Sequence, residues 1–171
     1  MGEMKRKIIF IIISSISAFF VILLFGCSNK YGAKMYSNSN DWIQETFLSN
    51  NKVSGAYYEQ AEADGSYSHY YDDTSPKFRL FVIENETTFN SIFIEDKLKV
   101  DFEYEVIYLY IESDENTNSK YKISKIELKN EKMSIYYKLK RKNKNTTAPY
   151  QRCLIVKMKK NDAKEVEFIK K

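Results

Sequence analysis

The stretch "YEVIYLYIE" (residues 104–112) most constrains the fold. Tyr104, Val106, Tyr108 and Tyr110 occupy one parity, and Ile107, Leu109 and Ile111 the other. A strand alternates its side chains between two faces, so apolar residues on both parities predict a strand covered on both sides. A covered strand needs neighbours, and the flanking segments supply them. "KFRLFVIE" places Phe78, Leu80 and Val82 on one side. "MSIYYKLK" alternates through Met133, Ile135, Tyr137 and Leu139. "KYKISKIELK" shifts its apolar parity between Ile123 and Ile126, which predicts a bulge near Ser124-Lys125 and a hairpin with the strand after "NEK". "QRCLIVKMK" and "KEVEFIK" read as two last strands paired through the turn at 160–163.

Two helices are expected beside this sheet. "SNDWIQETFLSNN" carries Trp42, Ile43, Thr46 and Phe47 at helical spacing behind Ser39 or Asn40. "NETTFNSIFIED" carries Phe89, Ile92 and Phe93 behind a Thr87 or Thr88 cap. The expected class is therefore α+β: a mainly antiparallel sheet of about six strands, consistent with usual sheet sizes, with an N-terminal helix and one short inserted helix.

The N-terminus has a different logic. Lys5, Arg6 and Lys7 precede a predominantly apolar run from Ile8 to Phe25, which ends in "LFGCSNK". A positive cluster, an apolar core and an abrupt polar boundary are the layout of an export signal. Leu24, Gly26 and Cys27 resemble a lipobox, although Phe25 is bulky where that pattern prefers a small residue. The resemblance implies cleavage before Cys27 and acylation of its thiol, with residues 1–26 as signal peptide. An uncleaved membrane helix is the alternative, since the run lies at the short edge of the roughly 17–25 residues that span a bilayer. Either way, residues 28–171 lie on the extracytoplasmic side of the cell membrane. Residues 27–39 read as a lipidated flexible tether and residues 40–171 as one domain.

Charge removes one class of partner. The chain has 27 Lys and Arg against 23 Asp and Glu, and Lys5, Arg6, Lys7 and Glu3 lie in the signal. That leaves 24 against 22, too even to support nucleic-acid binding. The cluster Lys140, Arg141, Lys142 and Lys144 reads as a solvated hairpin tip in preference to a lipid or polyanion site. With Cys27 acylated, Cys153 has no partner for a disulfide, and its strand context marks it as a small buried hydrophobe. A Cys153/His69 nucleophile pair has nothing to position it. Among catalytic signatures, HExxH, GxSxG, CxxC and the phosphate-binding glycine loop are missing from the sequence. The carboxylate pairs Asp72-Asp73 and Asp114-Glu115 sit in turn-like sequence, where such pairs are usually solvated. No enzyme, metal site or cofactor is expected.

Residues 53–76 stand apart. They hold Glu59, Glu62, Asp64, Asp72 and Asp73, no Lys or Arg, and the only histidine of the chain. Asp64-Gly65 favours a tight reversal. The spacing lacks the ligands of an EF-hand calcium loop. Tyr57, Tyr58, Tyr67, His69, Tyr70 and Tyr71 are the candidate recognition surface, because tyrosines offer rigid, amphipathic contact area; an exposed hairpin covering the domain's edge is the plainer alternative.

The order "RLFVIE", "TTFNSIF", "VDFEYEVIYLYI", a hairpin and "APYQRCLIVKMKK" resembles the C-terminal domain of the PrcB family over residues 78–169. Val100-Asp101-Phe102 before the central strand and Pro149-Tyr150 before a late one carry the likeness. The resemblance implies a non-catalytic, membrane-anchored accessory subunit that binds an exported protein such as a protease. An envelope glycan bound through the tyrosines is the alternative, and a small hydrolase using His69 a third.

Overall fold

The computed structural model describes residues 30–115, 119–141 and 148–171, with only the backbone of Arg141. The signal segment and Cys27 lie outside the described residues, as do Lys142 and Lys144 of the basic cluster. Nine strands form three sheets: β1 Lys34–Tyr36, β2 Tyr57–Ala61, β3 Tyr67–Tyr71, β4 Phe78–Ile83, β5 Glu105–Asp114, β6 Lys120–Lys129, β7 Lys132–Arg141, β8 Tyr150–Lys159 and β9 Glu165–Lys170. Among the described residues the helices are α1 Glu45–Asn50 and α2 Glu86–Ile92, with a 3-10 turn at Asn40–Trp42.

The central sheet has the order β1-β8-β5-β4 and is antiparallel throughout. β5 lies inside it, as its two apolar parities require. Ile107, Leu109 and Ile111 face one layer, where Ile83, Cys153 and Ile155 meet Ile43, Val53, Ile92 and Phe93 from the short helices and the loops beside them. Val106, Tyr108 and Tyr110 face the other, against Ile126, Met133, Ile135 and Tyr137 of the outer sheet β6-β7-β9. The chain is thus a three-layer stack of helices and loops, central sheet and outer sheet.

Four expectations change. Nine strands replace about six, because the domain builds two stacked sheets plus a separate hairpin. The N-terminal helix breaks at Ile43-Gln44. Ile43 bridges Phe93, Gln44 N donates to Ile92 O at 2.9 Å, and Ile94 N donates to Trp42 O at 2.9 Å, so the backbone there pairs with a distant segment and no helical turn continues. β8 and β9 are not partners. Both edges of β8 are occupied, by β1 and β5, so β9 crosses to the outer sheet and runs parallel to β7. Finally, the stretch expected as tether contains β1, whose Lys34, Met35 and Tyr36 pair with Lys157, Val156 and Ile155.

Local signals hold at the turns. The β6–β7 register shifts between Ile123 and Lys125, as the apolar parity requires. Asn130 (φ 51°) and Glu131 (φ 62°) form a two-residue reversal of left-handed backbone, the twist a tight hairpin needs. α2 is capped by Asn85, whose Oδ1 accepts from Thr88 N at 2.8 Å, one turn before the expected threonines.

Candidate functional site

The β2–β3 hairpin gathers the expected recognition residues and sorts them by parity. Tyr57 opposes Tyr71, Tyr58 opposes Tyr70 and Glu59 opposes His69. Gly65 (φ 82°) supplies the left-handed backbone of the reversal, and Asp64 Oδ1 accepts from Ser66 N at 2.9 Å.

Because cross-strand neighbours share a face, Tyr57, Glu59, Tyr67, His69 and Tyr71 form one surface. Tyr67 is 68% exposed and Tyr71 53%. The His69 ring stacks on Tyr57 with centroids 5.1 Å apart and planes 12° apart, and its Nε2 meets Glu59 Oε1 at 3.2 Å. Tyr71 leans on Tyr57 at 4.8 Å. This row of rings is a preformed, amphipathic platform with a carboxylate at its side.

Tyr58 and Tyr70 turn the other way and hold the hairpin to the domain. The Tyr58 hydroxyl accepts from Val53 N at 2.8 Å and donates to Val53 O at 3.1 Å. Lys52 Nζ donates to the Tyr70 hydroxyl and lies over both rings at 5.1–5.2 Å. Beneath the hairpin, Asp72 is buried and not solvated as expected. Ser75 donates to it through Oγ at 2.7 Å and N at 2.9 Å, and Thr74 through N at 2.9 Å. These donors, the Ser75 hydroxyl first, hold its carboxyl far below the usual carboxylate range.

Sequence reasoning missed a second polar cluster, between the two sheets at the same end. Arg152 of β8 is fully buried, and its Nε lies 2.9 Å from Asp114 Oδ2 at the end of β5. The Asp114 side chain is only 9% exposed, again unlike its expected solvation. Nη1 donates to Ser37 O (3.0 Å), Asn38 Oδ1 (3.0 Å) and Ser119 O (2.7 Å), and Nη2 to the Tyr150 hydroxyl (2.6 Å). Tyr121 donates to Asp114 Oδ2 at 2.7 Å, and Tyr137 to Glu112 Oε2 at 2.9 Å. Burial raises the Glu112 carboxyl above its ordinary range, although Lys170 Nζ stands 3.8 Å from Oε1. Burial also pushes the Tyr110 hydroxyl up to about 12. The signal was a charge on a strand parity otherwise filled by Leu154, Val156 and Met158. The cluster ties β5, β6 and β8 and the residues after β1 together: Asp114 Oδ2 meets Arg152 and Tyr121, and Glu112 Oε2 accepts from Tyr137, while the buried Glu112 Oε1 has only Lys170 Nζ nearby. That is the chemistry of a structural network.

Cys153 points into the helical layer, fully buried, with its thiol pushed up to about 12 by burial. His69 stands exposed on the hairpin, so the structure brings no nucleophile and base together here. Among the described residues, no group of three His, Cys, Asp or Glu side chains is arranged to hold a metal, and no helix is long and apolar enough to cross a membrane. No protein-family model, curated protein or solved structure matches the chain.

Proposed function

We propose that this protein is a non-catalytic accessory lipoprotein, anchored to the cell membrane through Cys27, whose β2–β3 hairpin binds an exported protein such as a protease. One observation carries the reading: Tyr57, Tyr67, His69 and Tyr71 share one face of a hairpin clamped from behind by Tyr58 and Tyr70, with His69 stacked on Tyr57, Tyr71 tilted against it and Tyr67 standing exposed beside them. A rigid aromatic surface loses little conformational entropy on binding. Glu59, Glu62, Asp64 and Asp73 around it, with no cation in residues 53–76, favour a partner surface rich in Lys and Arg. The export-signal layout and the resemblance of the second half to the PrcB family support an encounter outside the cytoplasmic membrane.

The test compares capture of the tagged full-length protein from native membranes with capture of its Tyr67→Ala/Tyr71→Ala variant. The expected result is one exported protein retained by the wild type and lost by the variant. Equal recovery by both, or co-sedimentation with envelope glycan alone, overturns the reading; the second result points to a sugar-binding platform. Mass spectrometry of the same bait reports whether the mature chain begins at an acylated Cys27.

A further inference from the structure

The sheet edges are guarded unequally. β1 is three residues long, β6 is bulged and lysine-rich, and β9 carries Glu165, Glu167 and Lys170 within six residues. Charge, bulges and brevity are the usual devices that keep an edge from pairing. β4 has none of them. It pairs with β5 over Phe78–Ile83 without a register shift, and no strand among the described residues occupies its other edge. Its single charged side chain, Arg79, is engaged with the domain, with Nε donating to Lys52 O at 2.9 Å.

The same strand carries a protrusion and a recess. Phe78 is 54% exposed, with its ring 5.6 Å from Tyr110. Four residues on, Val82 is 48% exposed and borders a cleft of about 410 Å³ lined by Leu80, Tyr108 and Val166 together with the polar Glu84, Lys160 and Lys164. The cleft exists because the outer sheet is one strand narrower than the central one, which leaves the Phe78-Leu80-Val82 face of β4 half covered.

We infer that β4 pairs with β4 of a second copy of this chain, antiparallel about a two-fold axis at Leu80. In that register Phe78 of each copy lies opposite Val82 of the other, at the mouth of the other copy's cleft. Phe78 and Val82 share a parity, so both copies keep their apolar faces on the same side of the joined sheet. Protrusion and recess on one strand, equally spaced from one residue, are what an isologous interface requires. An extended peptide from another protein needs only the free edge.

Two measurements on the full chain test this. Leu80→Cys places two thiols across the axis, and mild oxidation in native membranes should give a species of twice the chain mass. Lys129→Cys, on the outer sheet, should give none. Adding Val82→Lys to Leu80→Cys should abolish the crosslink with folding intact by circular dichroism, since Val82 is half exposed. In detergent, sedimentation should report two chains for the wild type and one for Val82→Lys. A wild type that sediments as one chain, a crosslink that survives Val82→Lys, or a Leu80→Cys adduct with a different protein overturns the inference.

Discussion

Replacing Arg152 by Met tests whether the buried network holds the two sheets together. Methionine keeps the apolar stem and removes the guanidinium. Asp114 would keep only the Tyr121 hydroxyl at 2.7 Å among the partners described above, and the carbonyls of Ser37 and Ser119 would lose their donor. Breaking a buried ion pair from one side costs about 3–5 kcal/mol. The orphaned carbonyls belong to the same network, so their cost overlaps with this figure and does not simply add. We expect a loss of about 4 kcal/mol, a large part of the roughly 5–15 kcal/mol typical of a folded domain. For a domain of this size that corresponds to a fall in Tm of roughly 10–15 °C. Urea unfolding followed by far-ultraviolet circular dichroism and by the single tryptophan, Trp42, reads the change as a lower midpoint at constant slope. Replacing both partners (Arg152→Met with Asp114→Leu) should recover part of the loss, because an apolar pair carries no uncompensated charge. A cost below about 1 kcal/mol for Arg152→Met would refute the assignment, since that is the scale of a solvated surface pair.

Three further outcomes follow from the geometry. Because burial raises the Glu112 carboxyl, the folded chain holds that proton more tightly than the unfolded one. Its contribution is full below the unfolded value of about 4.3 and is lost as pH rises through the folded value. Glu112→Gln, which retains an acceptor for Tyr137, should therefore raise Tm at about pH 8 and leave it unchanged near pH 3; an equal loss at both pH values contradicts this. Tyr58→Phe should cost about 0.5–1.5 kcal/mol in urea titration through its lost bonds to Val53, whereas Tyr67→Ala, on the open face, should leave the midpoint in place. The Cys153 thiol, raised to about 12 by burial, should react with iodoacetamide only in denaturant; prompt labelling of the native protein would place it outside the core.

What the sequence reveals and what it hides divide along physical lines. Burial on both faces is written in the two apolar parities of residues 104–111, so the central position of β5 is legible. The bulge at Ser124 and the reversal at Asp64-Gly65 are equally local. Partner choice is not. "KEVEFIK" announces a strand, but its pairing with β7 follows only once β1 and β5 have taken both edges of β8. Trp42 and Ile43 have helical spacing, yet Ile43 answers to Phe93, fifty residues away. Between these cases lie features whose signal was present but incomplete. Period-two alternation divides Tyr57, Tyr67, His69 and Tyr71 from Tyr58 and Tyr70, so the six candidates split into a displayed set and an anchoring pair. The same alternation puts Arg152 on the inward face with Leu154, Val156 and Met158, and a buried cation demands a counter-charge. Alternation cannot name that counter-charge, because register decides it. Arg152 lies directly opposite Glu112, while its ion pair forms with Asp114, one same-face step further along β5. Glu112 is thereby left to Tyr137 and the more distant Lys170, and its burial raises its carboxyl above the ordinary range.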